Sequence, residues 1–299
     1  MFTCMKIILS PAKSLTINSN DDLKGSNPIF YKEAMSLNSQ IKKLSVLELQ
    51  SLMGISENLA KEGFLWNKSF KKNHLGTGSI QLQKAHTLFA GEVYRGLEFS
   101  SLSQEELERA NDQILILSGL YGLIKPMDLI APYRLEMKTK FQCSKTATNL
   151  YDFWGKKLNK VIDKVPGTVI NLASTEYAKA LQIKSLKSRV ITPVFKEKTN
   201  NGLKVVMMYA KNARGKMARY IVQNNLLNAE ELFALAVADP LTKVDEGIDI
   251  DNFDGDWSSV KKTGPYVQWI IKQYLNLKTT DDDGQIIEPD SKLYKEQLK

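Results

Sequence analysis

The chain has 299 residues, 43% hydrophobic and 25% charged, an ordinary globular composition with enough apolar surface for a sizeable core. No apolar run approaches the ~18 residues of a membrane span, and two cysteines (Cys4, Cys143) with two histidines (His74, His86) make neither a disulfide framework nor a zinc signature. The formal net charge of +8 is unevenly placed: residues 241–299 hold 8 lysines against 12 acids, a net of −4, so residues 1–240 hold 33 basic against 21 acidic residues, a net of +12.

A body that basic attracts polyanions, nucleic acid first. The start, "MFTCMKIILSPAKS", has a short apolar stretch and no small-residue cleavage site, so no secretory signal is expected. The expected setting is cytoplasmic and reducing, with no membrane partner, metal or cofactor. His74 and His86 read as surface or loop residues.

In chain order, "MKIIL" is a short strand that stops where Pro11 forbids further ladder bonding. Residues 29–66 space their apolar residues three and four apart (Ile41, Leu44, Leu47; Leu52, Ile55, Leu59), which predicts helix. "HTLFAGEVYRGLEF" is helical with two glycines, and "SQEELERAND" is a helix capped by Ser103 with Glu106 at the capping-box position. "QILILSGL" follows as a buried strand, "NLYDFWGKKLNKVID" as one amphipathic helix and "GTVINLAS" as another apolar strand. "SRVITPVF" and "LKVVMMYA" are expected strands of a hairpin turning at Asn200, Asn201 and Gly202. "ARGKMARYIVQNNLL" and "AEELFALAV" are expected helices. Alternating strands and helices predict an α/β (α+β) domain, a mixed β-sheet core flanked by helices. The texture changes after Asp239, dividing the chain into a domain over residues 1–239 and an acidic C-terminal extension over 240–299. In the extension, "PYVQWIIKQYLNL" is an expected amphipathic helix and the residues after it a mobile tail.

Function in α/β sheets collects at the carboxyl ends of strands. Here those ends read "SPAK", "SGLYG" and "NLAS", offering Ser10, Ser118 and Ser174, although tight turns need small residues anyway. "PYRLEM" adds chemistry. On an extended segment Arg134 and Glu136 share a face, as a structural ion bridge or as a guanidinium for an anionic ligand oriented by a carboxylate. Lys13, Lys125 and Lys138 are candidates to join them. Ser10, Lys13, Tyr133, Arg134, Glu136 and Asn171 are the candidate catalytic groups.

The second strong element is "YAKNARGKMARYIVQNN". Six basic residues and no acid fall between Lys198 and Ala229. With a strand ending at Ala210, Asn212 would cap the next helix and Gly215 would sit in its first turn. Free amides there, with Lys211, Arg214 and Lys216, would suit a phosphate. Lys216, Arg219 and Gln223 then share a polar face, for which ordinary solvation is the alternative.

Taken together, "KIILSPAKSL", "FAGEVYRGL", "LSGLYGLIKPMDLIAPYRLEMKTK", "LYDFWGKKL", "VINLASTEYAKAL", "ITPVFKE" and "YAKNARGKMARYIVQNNL" resemble the YaaA family, also called UPF0246 or DUF328, from about residue 5 to 235. The resemblance implies an α/β core with a positively charged cleft and a helix-hairpin-helix-like element. It also implies resistance to peroxide stress through DNA binding and limitation of free intracellular iron. "SGLYGLI" is the expected place for that element, with Gly119 and Gly122 presenting amides to phosphate. The phosphate-binding set is then Lys13, Gly119, Gly122, Lys125, Arg134, Lys138, Lys211, Arg214, Lys216 and Arg219, with double-stranded DNA as partner. The chain departs from the family's pattern in its acidic extension, where "FDGDWSS" resembles a diverged remnant of the usual short tail. Two alternatives stay open: an enzyme acting on a nucleotide, nucleobase or other small polar ligand in the same cleft, and a scaffold for a protein partner. Peroxide protection is expected not to depend on thiols, Cys143 being the more exposed of the two. Oligomeric state is open.

Overall fold

A computed structural model describes residues 5–17, 24–70, 82–164, 167–199, 202–227 and 267–270. Its first half comprises β1 (Lys6–Leu9), β2 (Ser14–Leu15), α1 (Tyr31–Ile41), α2 (Val46–Met53), α3 (Glu57–Ser69), β3 (Gln83–Lys84), α4 (Ala85–Leu88), β4 (Phe89–Ala90), α5 (Glu92–Leu97) and α6 (Gln104–Gln113). There follow β5 (Ile114–Ser118), β6 (Gly122–Ile124), β7 (Leu129–Ile130), α7 (Leu150–Trp154), α8 (Lys157–Ile162), β8 (Thr168–Asn171) and α9 (Thr175–Ala180). The last elements are β9 (Arg189–Ile191), β10 (Val194–Thr199), β11 (Gly202–Lys204), α10 (Met207–Gln223) and β12 (Val267–Ile270).

The expected α/β class with a mixed sheet is what the chain adopts. A five-stranded sheet runs β6-β5-β1-β8-β9, parallel except for the edge strand β6. Parallel strands covered on both faces must be apolar on both, and Ile7, Ile8, Leu9, Ile114, Ile116, Val169 and Ile170 are all buried. Because β1 is central, the chain leaves it toward β5 and later returns to its other side as β8. In sheets of this kind such a reversal makes the carboxyl ends of β1 and β8 the usual place for a ligand. Two short ladders, β2 with β4 and β3 with β7, fix the loops that follow.

Local signals explain the helices that were legible. Ser45 with Glu48 and Ser103 with Glu106 form reciprocal capping boxes at α2 and α6. Gly54, left-handed at φ 61°, stops α2.

Five expectations need correction. "HTLFAGEVYRGLEF" is not helical throughout, since Phe89–Ala90 form β4 and pair with β2. "NLYDFWGKKLNKVID" is not one helix: Gly155, at φ 42°, breaks it into α7 and α8. "LKVVMMYA" is not a full strand, since β11 ends at Lys204 and α10 starts at Met207. The buried stripe Ala210, Ala213, Met217 and Ile221 already repeats at helical spacing, so Ala210 belongs to the helix. Within "PYVQWIIKQYLNL", residues Val267–Ile270 form a strand paired antiparallel with β10 rather than part of a helix. Finally, "SGLYGLI" is a buried strand-turn-strand, with Ser118 opposite Gly122, and not a pair of helices. "AEELFALAV", His74, Cys4, the acidic residues around Asp254 and the expected tail lie outside the described residues.

Candidate functional site

The carboxyl ends of β1 and β8 are stitched together. Ser10 Oγ accepts from the Ser174 backbone N–H at 2.8 Å and its hydroxyl donates to Ser174 Oγ at 3.3 Å. Tyr94 donates its phenol to the Ser10 carbonyl at 3.0 Å. Asn171, buried at the end of β8, donates to Thr192 Oγ1 at 3.2 Å and accepts from Ala173 N–H at 3.2 Å. The third serine, Ser118, is also buried; its hydroxyl donates to Tyr133 Oη at 2.7 Å and accepts from Tyr121 N–H at 2.9 Å. Tyr133 packs edge-on against Tyr121, and burial drives its phenol well above the ordinary tyrosine range. Three of the candidate catalytic groups, Ser10, Tyr133 and Asn171, thus spend their hydrogen bonds on the fold.

The two glycines of "SGLYGLI" are packing positions. A Cβ at Gly119 would lie 2.3 Å from the Leu135 carbonyl oxygen, and one at Gly122 would lie 2.7 Å from the Trp154 ring. Trp154 in turn donates its indole N–H to the Gly119 carbonyl at 3.0 Å. This contact lays residues 133–139 flat against the end of β5. Tyr133, Leu135, Met137 and Thr139 point inward, whereas Arg134 and Glu136 are half-buried and Lys138 is exposed. The segment after this buried strand-turn-strand therefore delivers a row of charged side chains to one surface.

That row forms one wall of a cleft of about 710 Å³. Lys13 and the β2 segment form a second side, and the end of α2 with α3 forms the third, through Met53, Ile55, Leu59 and Trp66. Within it Glu136 is neutralised twice: Oε1 pairs with Lys13 Nζ at 2.8 Å and Oε2 with Lys138 Nζ at 3.6 Å. Lys138 N–H also donates to Glu176 Oε1 at 3.2 Å, tying the row to α9. Arg134 is treated differently. Its guanidinium lies 6.0 Å from the centre of the Trp66 ring. Its Nε is buried with no hydrogen-bond partner, and no ion pair among the described residues includes it. The Arg134–Glu136 bridge, one of the two readings of this pair, is absent; lysines hold the carboxylate, and among the described residues the arginine has no ion-pair partner.

The structure thus brings together Lys13, Arg134, Glu136 and Lys138. The other basic candidates do not line this cleft. Because α10 begins at Met207, Asn212 and Gly215 are interior helix residues whose amides are not free, which removes the physical basis of a phosphate site at a helix start. Gly215 serves helix contact: a Cβ there would lie 1.9 Å from the Val93 carbonyl oxygen, as one at Gly96 would lie 2.1 Å from that of Asn212. Arg219 donates from Nη1 to the Leu97 and Glu98 carbonyls at 3.0 and 2.9 Å, satisfying the end of α5. Arg214 is half-buried, and burial lowers its pKa. Lys211 and Lys216 are exposed on α10. Lys125 N–H donates to Asp128 Oδ2 at 2.8 Å in the turn after β6. Cys143, expected to be the exposed thiol, is buried, and that burial pushes its pKa up to about 12.

Trp66 was missed by sequence reasoning. A signal existed: Ala60, Gly63 and Asn67 form the buried stripe of α3, and Trp66 falls beside it, a large aromatic only half-covered. Among the described residues no group of three or more His, Cys, Asp or Glu side chains is arranged to hold a metal ion, and no helix is long and apolar enough to cross a membrane.

A family model described as "Peroxide stress protein YaaA" matches residues 5–239. The chain belongs to this family. A UPF0246 protein of Clostridium perfringens is 42% identical over 235 residues, covering 76% of this chain and 90% of the relative. UPF0246 proteins of Aliivibrio fischeri and Psychrobacter arcticus are each 39% identical, over 238 and 242 residues, covering 76% of this chain and 89% of each relative.

Proposed function

We propose that this YaaA-family chain acts in peroxide-stress protection by binding double-stranded DNA in the cytoplasm, with the phosphate backbone held at the mouth of the Lys13–Arg134–Lys138 cleft. One observation carries the reading: among the described residues Arg134 has no anionic partner, although a carboxylate stands two residues away. A guanidinium offers a planar fork of donors that matches a phosphate. Leaving it half-buried and unpaired is costly unless a ligand completes it. Lys13 and Lys138, 67% and 64% exposed, extend the positive rim, and the +12 body supplies long-range attraction.

The proposal concerns protection of DNA. For the iron-limiting role the described residues offer no metal-holding cluster. In the same reading, the acidic residues 240–299 follow the family domain and add the strand Val267–Ile270 beside its β10.

The test is duplex binding across a salt series. Arg134→Ala should weaken affinity for all sequences alike and lower the log–log salt slope by about 0.9, one phosphate contact. A Lys211→Glu/Lys216→Glu double variant should leave both quantities unchanged. The opposite ranking would move the DNA surface to α10.

A further inference from the structure

We infer that the cleft is a receptor for one unpaired nucleotide unit, its base on the Trp66 side and its phosphate on Arg134. The inference rests on the reading of the cleft as a phosphate site and adds what the rest of the cavity recognises. A backbone contact alone needs a rim of cations and nothing more. The cleft holds about 710 Å³, within the ~300–1,000 Å³ typical of small-molecule sites and too small for a duplex to enter.

Its walls are chemically divided. Leu15 and Ile17 lie on one side and Met53, Ile55, Leu59 and Trp66 on another, while Arg134, Glu136 and the two lysines carry the charge of the third wall and its rim, and Glu62 on α3 adds a further charge. An inorganic phosphate would satisfy Arg134 and leave the apolar side in water. An alkyl chain would cover the apolar side and leave Arg134 unpaired. A ligand that satisfies both needs a flat apolar group joined by a short spacer to an anion, which describes a nucleotide. Base–aromatic stacking suits Trp66 because every base has a π-face. Glu136, already held by Lys13 and Lys138, does not repel the phosphate as a free carboxylate would. Ser14, Ser56 and Glu62 also line the cavity and provide polar groups for a sugar or a base edge.

The same unit occurs as a free nucleotide or as an unpaired residue in a strand, so the test has arms for each. Binding of adenosine 5′-monophosphate, a single-stranded oligothymidylate and a fully paired duplex is measured calorimetrically on the full chain, with adenosine and inorganic phosphate as controls. Trp66→Ala should weaken the mononucleotide or the single strand by roughly 5- to 150-fold, the range for loss of one stacked base, and leave the duplex unaffected. Trp66→Phe, which keeps the stacking face, should retain most of the affinity, separating stacking from damage to α3. Tight mononucleotide binding assigns the site to a free nucleotide, and Trp66-dependent single-strand binding without it assigns the site to strands. If Trp66→Ala changes neither, or inorganic phosphate binds as well as the mononucleotide, the inference is overturned while the phosphate reading survives. Arg134→Ala without effect on any ligand overturns both.

Discussion

A Gly215→Ala substitution sets helix propensity against packing. In the middle of a helix alanine is favoured over glycine by about 0.8–1 kcal/mol, so without tertiary contacts the variant would be the more stable protein. In the structure the added Cβ would lie 1.9 Å from the Val93 carbonyl oxygen and 2.7 Å from Leu97 N, both backbone atoms of α5 that no rotamer change can move. Ordinary contact starts near 3.4 Å, so the helices must part by roughly 1.5 Å. Overpacking of this kind costs about 1–3 kcal/mol, and the shift draws Arg219 away from the Leu97 and Glu98 carbonyls, where a hydrogen bond from a charged donor is worth about 1.5–3 kcal/mol. After the propensity gain the expected loss is about 2–5 kcal/mol, a large fraction of the ~5–15 kcal/mol that holds a typical domain. Urea denaturation followed by far-UV circular dichroism measures it. A midpoint equal to or above that of the wild type would refute the close crossing of α5 and α10.

Cys143 should resist iodoacetamide at neutral pH until urea unfolds the chain, since burial raises its thiol to about 12, and Cys143→Ser should still protect peroxide-treated cells; fast alkylation at Cys143 itself in the native protein, read by peptide mapping, would contradict its place in the core. Glu136→Gln frees Lys13 and Lys138 and removes a negative charge, so duplex affinity should rise, while stability changes by no more than ~1 kcal/mol because both lysines are exposed; weaker binding would mean that the carboxylate positions the ligand. Asp128 accepts from Ser26 Oγ at 2.6 Å and from Lys125 N–H at 2.8 Å, yet burial, the larger effect, raises its pKa. The native state then holds that proton more tightly than the unfolded state, so the ionised group's destabilisation is present above the folded pKa and disappears as pH falls toward the ordinary aspartate value. Melting temperatures should therefore show the wild type gaining on Asp128→Asn as pH drops, and a gain in the other direction would reverse the assignment.

Much of this was legible because the relevant signals are local. The alternation Tyr133-in, Arg134-out, Leu135-in, Glu136-out follows from the period of an extended chain, and the capping box of Ser103 and Glu106 was readable from four residues, whereas that of Ser45 and Glu48 fell inside a stretch read only as helical. What escaped reading depends on contacts distant in sequence. Nothing near Glu136 says that Lys13 will take it in place of Arg134, although this pairing is what leaves the arginine open. Val205 to Met208 have strand-like apolar character, but the buried stripe that begins at Ala210 carries α10 back over them. Gly215 was read as a first-turn phosphate glycine and Gly96 as a glycine within a helix; only the packed helices show each facing the other helix's backbone. Trp66 sat inside a stretch read for its apolar spacing alone, so its half-exposed ring beside the stripe passed as core.

The most direct measurement is a crystal structure of the chain with a 5′-phosphorylated oligonucleotide. A phosphate oxygen should lie about 2.7–3.2 Å from the Arg134 guanidinium nitrogens, with Glu136 still paired to Lys13. Phosphates seated instead along α10 at Lys211 and Lys216, with Arg134 making no contact, would contradict the account.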